Sequence, residues 1–284
     1  KTSPNLSYKT AASGIQYFRF GVAEAANAGL INCKVYSAPV HIAVNAKPFV
    51  QLTSYIFGCY VKPVVIFASG GSNYEWRGPN GFYSVAERAV IDSALYSDEG
   101  RYSIKITTNK GCFDTGSLYL NIYPAAHATI GNTLSICEGS SINLNAGGGL
   151  QYKWTTDRAL SANSNSNDNI ANPVVNPADT TTYKVIITNQ YGCTDTAFQK
   201  VNVWKKPTVN AGTDKRTRLG IPITLDGSGT GTDIRYFWTP DLFINNASSL
   251  RPVINLPQTA YYTLHAESNR GCGSVTDEVY IKVY

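Results

Sequence analysis

A chain of 284 residues, 43% of them hydrophobic, carries enough apolar surface for several small cores and is not a disordered polymer. Only 15% of residues are charged and the net charge is +5. Lys and Arg are scattered, without the basic stripe a nucleic-acid partner requires, and no run of about 18 apolar residues marks a membrane span.

The chain opens Lys1-Thr2-Ser3-Pro4 and contains no Met, which reads as a piece of a longer processed precursor. Six cysteines and 19 tyrosines, with abundant Thr, Ser and Asn, point to an oxidising, secreted or cell-surface setting. Residues 1–46 supply three strands, with Tyr17 in a tyrosine register that recurs later and Val40–Val44 closing the segment. The Ala-rich stretch Val22–Ala28 reads as strand running into turn. Three strands cannot close a two-layer core, so this unit is expected to be truncated or completed by strands from elsewhere. Lys47-Pro48 ends it, because Pro cannot continue a central strand.

Three fuller units follow. Val64–Phe67, a strand ending in Trp76, the run Gly100-Arg101-Tyr102-Ser103-Ile104, the turn Asn109-Lys110-Gly111-Cys112 and the strand Leu118–Ile122 precede Pro124. Ile142–Leu144, Trp154, Tyr183, Asn189–Cys193 and Val201–Val203 repeat that order up to Lys206-Pro207, and Ile223–Leu225, Trp238, Tyr262, Asn269–Cys272 and Val279–Val283 repeat it again. The Gly-Cys turns are spaced 81 and 79 residues apart, the tryptophans 78 and 84, and Cys33 precedes Cys112 by 79. Self-similarity at about 80 residues, with short strands and Gly-rich turns, predicts tandem β-sandwiches. The predicted segments are 1–47, 48–124, 125–206 and 207–284, all-β, in an elongated array. Trp76, Trp154 and Trp238 recur at equivalent positions and are expected in the cores.

Asp98-Glu99-Gly100-Arg101-Tyr102 resembles the tyrosine corner of immunoglobulin-like domains, with Trp76 as its strand-C tryptophan. The pattern Cys137-Glu138-Gly139-Ser140-Ser141-Ile142-Asn143-Leu144, then Trp154, Tyr183 and Gly192-Cys193, is similar to the immunoglobulin-like and polycystic-kidney-disease-like repeats of Bacteroidota surface proteins. Those are exported by type IX secretion and include gliding-motility adhesins. The last unit, with Leu225-Asp226-Gly227-Ser228-Gly229, resembles the polycystic-kidney-disease-like end of that range. The resemblance implies a sandwich fold and an extracellular setting, with Tyr102, Tyr183 and Tyr262 as corner residues. It also brings in that phylum's O-glycosylation motif, met by Ser93, Thr180 and Thr196; solvent-exposed turn chemistry is the alternative.

Immunoglobulin domains bridge strands B and F inside the core, two residues past the corner tyrosine. Here Cys112 and Cys193 follow Tyr102 and Tyr183 by ten residues, in the F–G turn, while Cys59 and Cys137 precede strand B. Strands of six residues span about 20 Å, and a disulfide needs α-carbons within about 7 Å. Intradomain bridges Cys59–Cys112 and Cys137–Cys193 therefore run pole to pole, whereas Cys59–Cys193 and Cys137–Cys272 join one unit to the next. The second scheme is favoured and the first remains the alternative. In it, Cys33 and Cys112 take partners upstream, and the last unit has a residue near Leu219 in place of a donor Cys.

Catalytic constellations do not emerge. His41, His127 and His265 are isolated, Gly227–Gly229 and Asn145–Gly149 read as turns, and no Cys-x-x-Cys suggests zinc. Asp214, Asp226 and Asp233 are candidate Ca²⁺ ligands, with turn capping as the commoner reading. Tyr74, Arg77, Phe82 and Tyr83 are a candidate glycan-contact cluster, and Asn163–Asp168 reads as a solvated loop. The expected function is a non-catalytic stalk or filament segment of a secreted adhesin, its partners being other modules of the same precursor. The alternatives are glycan-binding accessory modules of a polysaccharide-degrading enzyme, or a fibre subunit that assembles with copies of itself.

Overall fold

Thr, Val, Ile and Tyr at every second position favour extended backbone, and extended backbone needs a neighbouring strand to satisfy its N–H and C=O groups. The structure, a computed structural model, describes residues 9, 12–24, 26, 34–156 and 169–284 and is built almost wholly of strands. It divides into two compact units, Lys1–Ala125 and Ala126–Tyr284.

In the first unit, β1 (Gly14–Phe18), β2 (Gly21–Val22), β3 (Val35–Tyr36) and β4 (Val40–Val44) form one hairpin, β1 on β4 and β2 on β3. These are the expected last two strands of the leading segment; the strand expected before them lies outside the described residues. Tyr17 does not hold the tyrosine register. It pairs with His41 and is 68% exposed. Side chains alternate along a strand, so Phe18, opposite Val40, shares the other face with Ile42 and Val44. That apolar face corresponds to the core side.

The same unit continues with β5 (Tyr55–Cys59), β6 (Val64–Phe67), β7 (Asn73–Arg77), β8 (Tyr83–Ser84), β9 (Arg88–Ile91), β10 (Gly100–Thr107) and β11 (Phe113–Tyr123). One sheet runs β5-β11-β10-β7-β8, and β6-β9 faces it. Only β5 is parallel to its neighbour there, on the outer edge of β11. Trp76, Tyr102, Ile66, Ile104, Ile106 and Leu120 fill the space between.

The second unit repeats this plan twice. β12 (Thr129–Ile130), β13 (Leu134–Cys137), β14 (Ile142–Asn143), β15 (Ala146–Gly147), β16 (Gln151–Thr156), β17 (Val174–Val175), β18 (Thr181–Thr188) and β19 (Thr194–Trp204) give a sheet β13-β19-β18-β16 and the pairs β14-β17 and β12-β15. β20 (Thr208–Asn210), β21 (Lys215–Thr217), β22 (Ile223–Thr224), β23 (Ser228–Thr230), β24 (Ile234–Thr239), β25 (Val253–Ile254), β26 (Ala260–Ser268) and β27 (Ser274–Val283) give β21-β27-β26-β24, β22-β25 and β20-β23. A C-F-G sheet flanked by a parallel first strand and faced by a B–E pair is the immunoglobulin-type sandwich. The chain is all-β, with immunoglobulin-like sandwiches in tandem.

Two expectations about turns give way. Asn145–Gly149 and Gly227–Gly229 are not simply turns: Ala146–Gly147 pairs with β12, and Ser228–Thr230 with β20. Strand B runs on past its apolar end to receive the first strand of its sandwich, and glycine lets that backbone in. A Cβ on Gly148, which sits at φ +92°, would lie 1.8 Å from the His127 carbonyl oxygen. The closing strands are also longer than their apolar cores, reaching Phe113, Thr194 and Ser274. Their polar first halves are held by the F–G turns.

Candidate functional site

Parallel pairing in the second unit sets Cys137, the last residue of β13, opposite Trp204, the last of β19. The Glu138 N–H donates to the Trp204 carbonyl at 2.8 Å and fixes that end of the ladder. Cys272 lies in the turn between β26 and β27, where Gly271 at φ +77° provides the left-handed step and its N–H closes on Ser268 O at 3.2 Å. Cys137 and Cys272 form a disulfide with α-carbons 5.4 Å apart, 135 residues apart in sequence. It joins the A–B turn of one sandwich to the F–G turn of the next.

Other groups converge on the same junction. The Arg270 guanidinium lies 5.5 Å from the half-buried Trp204 ring and pairs with Asp233 at 2.7 Å. The Asn269 amide, donating at 3.0 Å, chiefly holds the Asp233 carboxyl below its ordinary pKa against partial desolvation, and Arg270 adds to it. Lys205 and Thr232 exchange bonds: Lys205 N–H to Thr232 Oγ1 at 2.9 Å, and Thr232 N–H to Lys205 O at 3.1 Å. Lys205 Nζ reaches Glu138 and Asp179 at 3.0 Å each and donates to Ala178 O at 2.9 Å. The bond to Glu138 leads in raising the Lys205 pKa, and Lys205 in turn lowers that of Glu138. These side chains are exposed, so water screens them and they orient the linker more than they stabilise it.

Trp204 and Lys205 were not singled out in the sequence. The signal for Trp204 was positional: an aromatic residue stands at or just past the end of each closing strand, as Tyr123, Trp204 and Tyr284. The register also moves the position lacking a donor cysteine from Leu219 to Arg218, since Thr217 pairs with Val283 and the Leu219 N–H bonds Tyr284 O.

Cys59 and Cys193 are also disulfide-bonded, whereas Cys112 is a free thiol; Cys33 lies outside the described residues. Trp76, Trp154 and Trp238 are buried, and their indole N–H groups donate to Ala86 O, Ile170 O and Ser249 O at 3.0, 3.0 and 2.9 Å. Tyr102, Tyr183 and Tyr262 are buried beside them. Tyr102 makes the corner bond, to Asp98 O four residues upstream at 2.8 Å, but Tyr262 bonds Leu242 O at 2.5 Å. Asp98 itself accepts from Leu95 N at 2.9 Å and so fixes its own turn.

Tyr74 does not join a surface cluster. Its hydroxyl donates to Gly71 O at 3.0 Å, as Tyr152 donates to Gly149 O at 2.9 Å, so it belongs to the shared framework. Phe82 packs edge-on against Tyr102, leaving Arg77 and Tyr83 outside, 5.5 Å apart, with Arg77 also paired to Glu75. Asp214, Asp226 and Asp233 do not converge either. Asp214 accepts from Tyr280 N, Asp226 pairs with Lys215, and Asp233 with Arg270. Among the described residues no group of three His, Cys, Asp or Glu is placed to hold a metal. Ser93, Thr180 and Thr196 are exposed. Thr180 Oγ1, however, accepts from Val203 N at 3.1 Å, and Asp195, which opens the Thr196 motif, accepts from Ala128 N at 2.9 Å. The Asn163–Asp168 loop lies outside the described residues.

No family model matches the chain, and no curated protein matches it. Among solved structures, a three-immunoglobulin fragment of titin carrying an E-to-A mutation is 15% identical, with 85% of this chain and 100% of that one covered and a TM-score of 0.47. The N-terminal four immunoglobulin domains of Dscam1 isoform 1.9 are 13% identical, with 88% and 77% covered and a TM-score of 0.39. The fold assignment rests on the strand register rather than on these likenesses.

Proposed function

We propose that the chain is a non-catalytic, load-bearing segment of an exported surface protein, of the type IX-secreted, gliding-adhesin kind found in Bacteroidota. In this reading 48–124, 125–206 and 207–284 are modules, the last of polycystic-kidney-disease-like type, and 1–47 is the closing part of another. The observation that carries it is the Cys137–Cys272 bridge, which spans two sandwiches and not one core. A core bridge would stabilise a single module; a bridge at a junction restrains the hinge between modules, which is what a stalk needs. Disulfides persist in oxidising compartments, in keeping with an extracellular place. No helix of the described residues is long and apolar enough to cross a membrane.

Repeat equivalence extends the rule: Cys59 corresponds to Cys137 and Cys193 to Cys272, so Cys59–Cys193 is the second bridge of this kind. Non-reducing peptide mapping that recovered any other partner for Cys59 would remove it. Small-angle scattering of the oxidised chain and of Cys137→Ser/Cys272→Ser tests the stalk reading. Loss of the bridge is expected to broaden the distance distribution, and superimposable curves would overturn the reading.

Glycan binding is the lesser reading, supported by the exposed Arg77–Tyr83 pair. It predicts saccharide-dependent shifts at those two residues that Tyr83→Ala abolishes, and titration without shifts would exclude it.

A further inference from the structure

The first hairpin is a strand F–G pair whose counterparts elsewhere never stand alone. β11, β19 and β27 each carry a parallel strand on the outer edge, namely β5, β13 and β21. β4 pairs with β1, and among the described residues nothing pairs with its other edge. Its inward face is also open. Val40 and Ile42 are 61% and 52% exposed and Phe18 and Val44 half-buried, where the corresponding faces of the later sandwiches are buried.

A second observation falls at the same place. Cys112 follows Gly111 at φ +80° just as Cys272 follows Gly271 at φ +77°, yet Cys272 is bridged and Cys112 is not. Lys47-Pro48 aligned with Lys206-Pro207 puts Asn45 in the place of Trp204. Cys112 Sγ lies 3.9 Å from the Asn45 carbonyl oxygen. Cys137 reaches Cys272 from the position opposite Trp204. A strand laid parallel to β4 would bring its last residue opposite Asn45, beside Cys112.

We infer that the open edge of β4 and the Cys112 thiol form one acceptor site for a strand of a second polypeptide, alternately apolar and ending in cysteine. The inference rests on the repeat reading above. Cys59, Cys137, Cys193 and Cys272 are already in disulfides and cannot serve as that donor. The strand adds by main-chain hydrogen bonds, as edge augmentation does, and its apolar side chains cover Val40 and Ile42. The covalent step is thiol–disulfide exchange. Cys112 thiolate attacks the donor cysteine, carried as a mixed disulfide with a small thiol. The new S–S bond forms, the old one breaks, and the small thiolate leaves with the electron pair and takes up the proton that Cys112 released.

The test uses the whole oxidised chain and a synthetic peptide copying residues 131–138, its cysteine activated as the 2-thiopyridyl disulfide. Docking on the edge raises the local concentration, so release of thiopyridone is expected to be roughly tenfold faster than from a scrambled peptide with the cysteine in the same position. The adduct maps to Cys112, disappears in Cys112→Ser, persists in Cys33→Ser, and protects the Val40–Val44 amides from hydrogen exchange. Equal rates for the two peptides, an adduct on Cys33, unprotected β4 amides in the adduct, or a native Cys33–Cys112 bridge would each overturn the inference. None of these results bears on the scattering difference expected for Cys137→Ser/Cys272→Ser, so the two readings fail separately.

Discussion

Tension that enters the second unit at Ala126 and leaves at Tyr284 crosses from Cys137 to Cys272 through the S–S bond. The segment between them, spanning a sequence separation of 135, is then shielded from extension. In Cys59→Ser/Cys193→Ser, where this bridge acts alone, oxidised and reduced molecules pulled from their ends are expected to differ in contour length. At 3.3–3.6 Å per extended residue the hidden length is roughly 450–490 Å. Single-molecule force extension resolves that easily. If oxidised and reduced molecules of this variant unfold to the same length, the clamp does not exist and the load-bearing argument falls with it. The wild-type chain tests the pairing of the other half-cystines. Interleaved Cys59–Cys193 and Cys137–Cys272 leave the segment between Cys137 and Cys193 as the shortest path. Reduction then releases about 160 residues, roughly 530–580 Å. A wild-type gain no larger than the variant's would rule out Cys59–Cys193. The same loop stabilises the folded unit by about 5 kcal/mol if chain entropy alone acts.

Burial, with the Asp98 charge adding to it, pushes the Tyr102 pKa up to about 12. An unfolded tyrosine ionises near 10, so the stabilisation is complete below pH 10 and drains away between pH 10 and 12; Tyr102→Phe is expected to flatten that alkaline loss in a denaturation series while costing about 1 kcal/mol at neutral pH, and an unchanged alkaline limb would refute it. Gln199 is buried where the other sandwiches have Leu118 and Val279. Because it accepts from Asn145 N and donates to Asn132 O at 3.0 and 3.2 Å, Gln199→Leu, though it matches the repeats, is expected to destabilise the protein by about 1–3 kcal/mol in urea denaturation. Gly148→Ala, at φ +92° with its Cβ against a carbonyl, is expected to lower the midpoint further, and a neutral result would mean that the first strand does not pack there.

Residues that recur in kind and spacing were legible in the sequence: Trp76, Trp154 and Trp238, the three buried tyrosines, and the Gly-Cys turns. Each solves the same packing problem three times, and repetition shows where the problem lies. The parallel first strands were harder to read, because β13 and β21 are four and three residues long and take their order from a neighbour rather than from their own pattern. Tyr17 misled for a related reason. Its identity matched the later tyrosines, but strand alternation puts Phe18 on the inward face. Tyr74 misled in the opposite direction: its counterparts Tyr152 and Tyr236 are half-buried like it, so it belongs to the repeat and not to a surface peculiar to one unit. Trp204 shares only its aromatic character with Tyr123 and Tyr284, so its place in the repeat, not its residue type, was the signal.

The position of the cysteines follows from what fills the cores. Two residues past the corner tyrosines, where an immunoglobulin bridge would run, stand the buried aliphatic residues Ile104, Val185 and Leu264, so each core is closed beside its Trp and Tyr without a disulfide. A disulfide moved to the pole adds little to that core, but it constrains the one degree of freedom the core cannot control, the angle to the next sandwich. The link also has a direction. The end of a parallel first strand donates the cysteine, and the F–G turn of the following sandwich receives it. Arg218 occupies the donor position opposite Tyr284, and Cys112 is a receiver with a free thiol. A link of this kind can therefore be added at Cys112 but not at Arg218, which makes Arg218→Cys the complementary variant: it creates a donor able to capture an F–G turn cysteine of a second molecule.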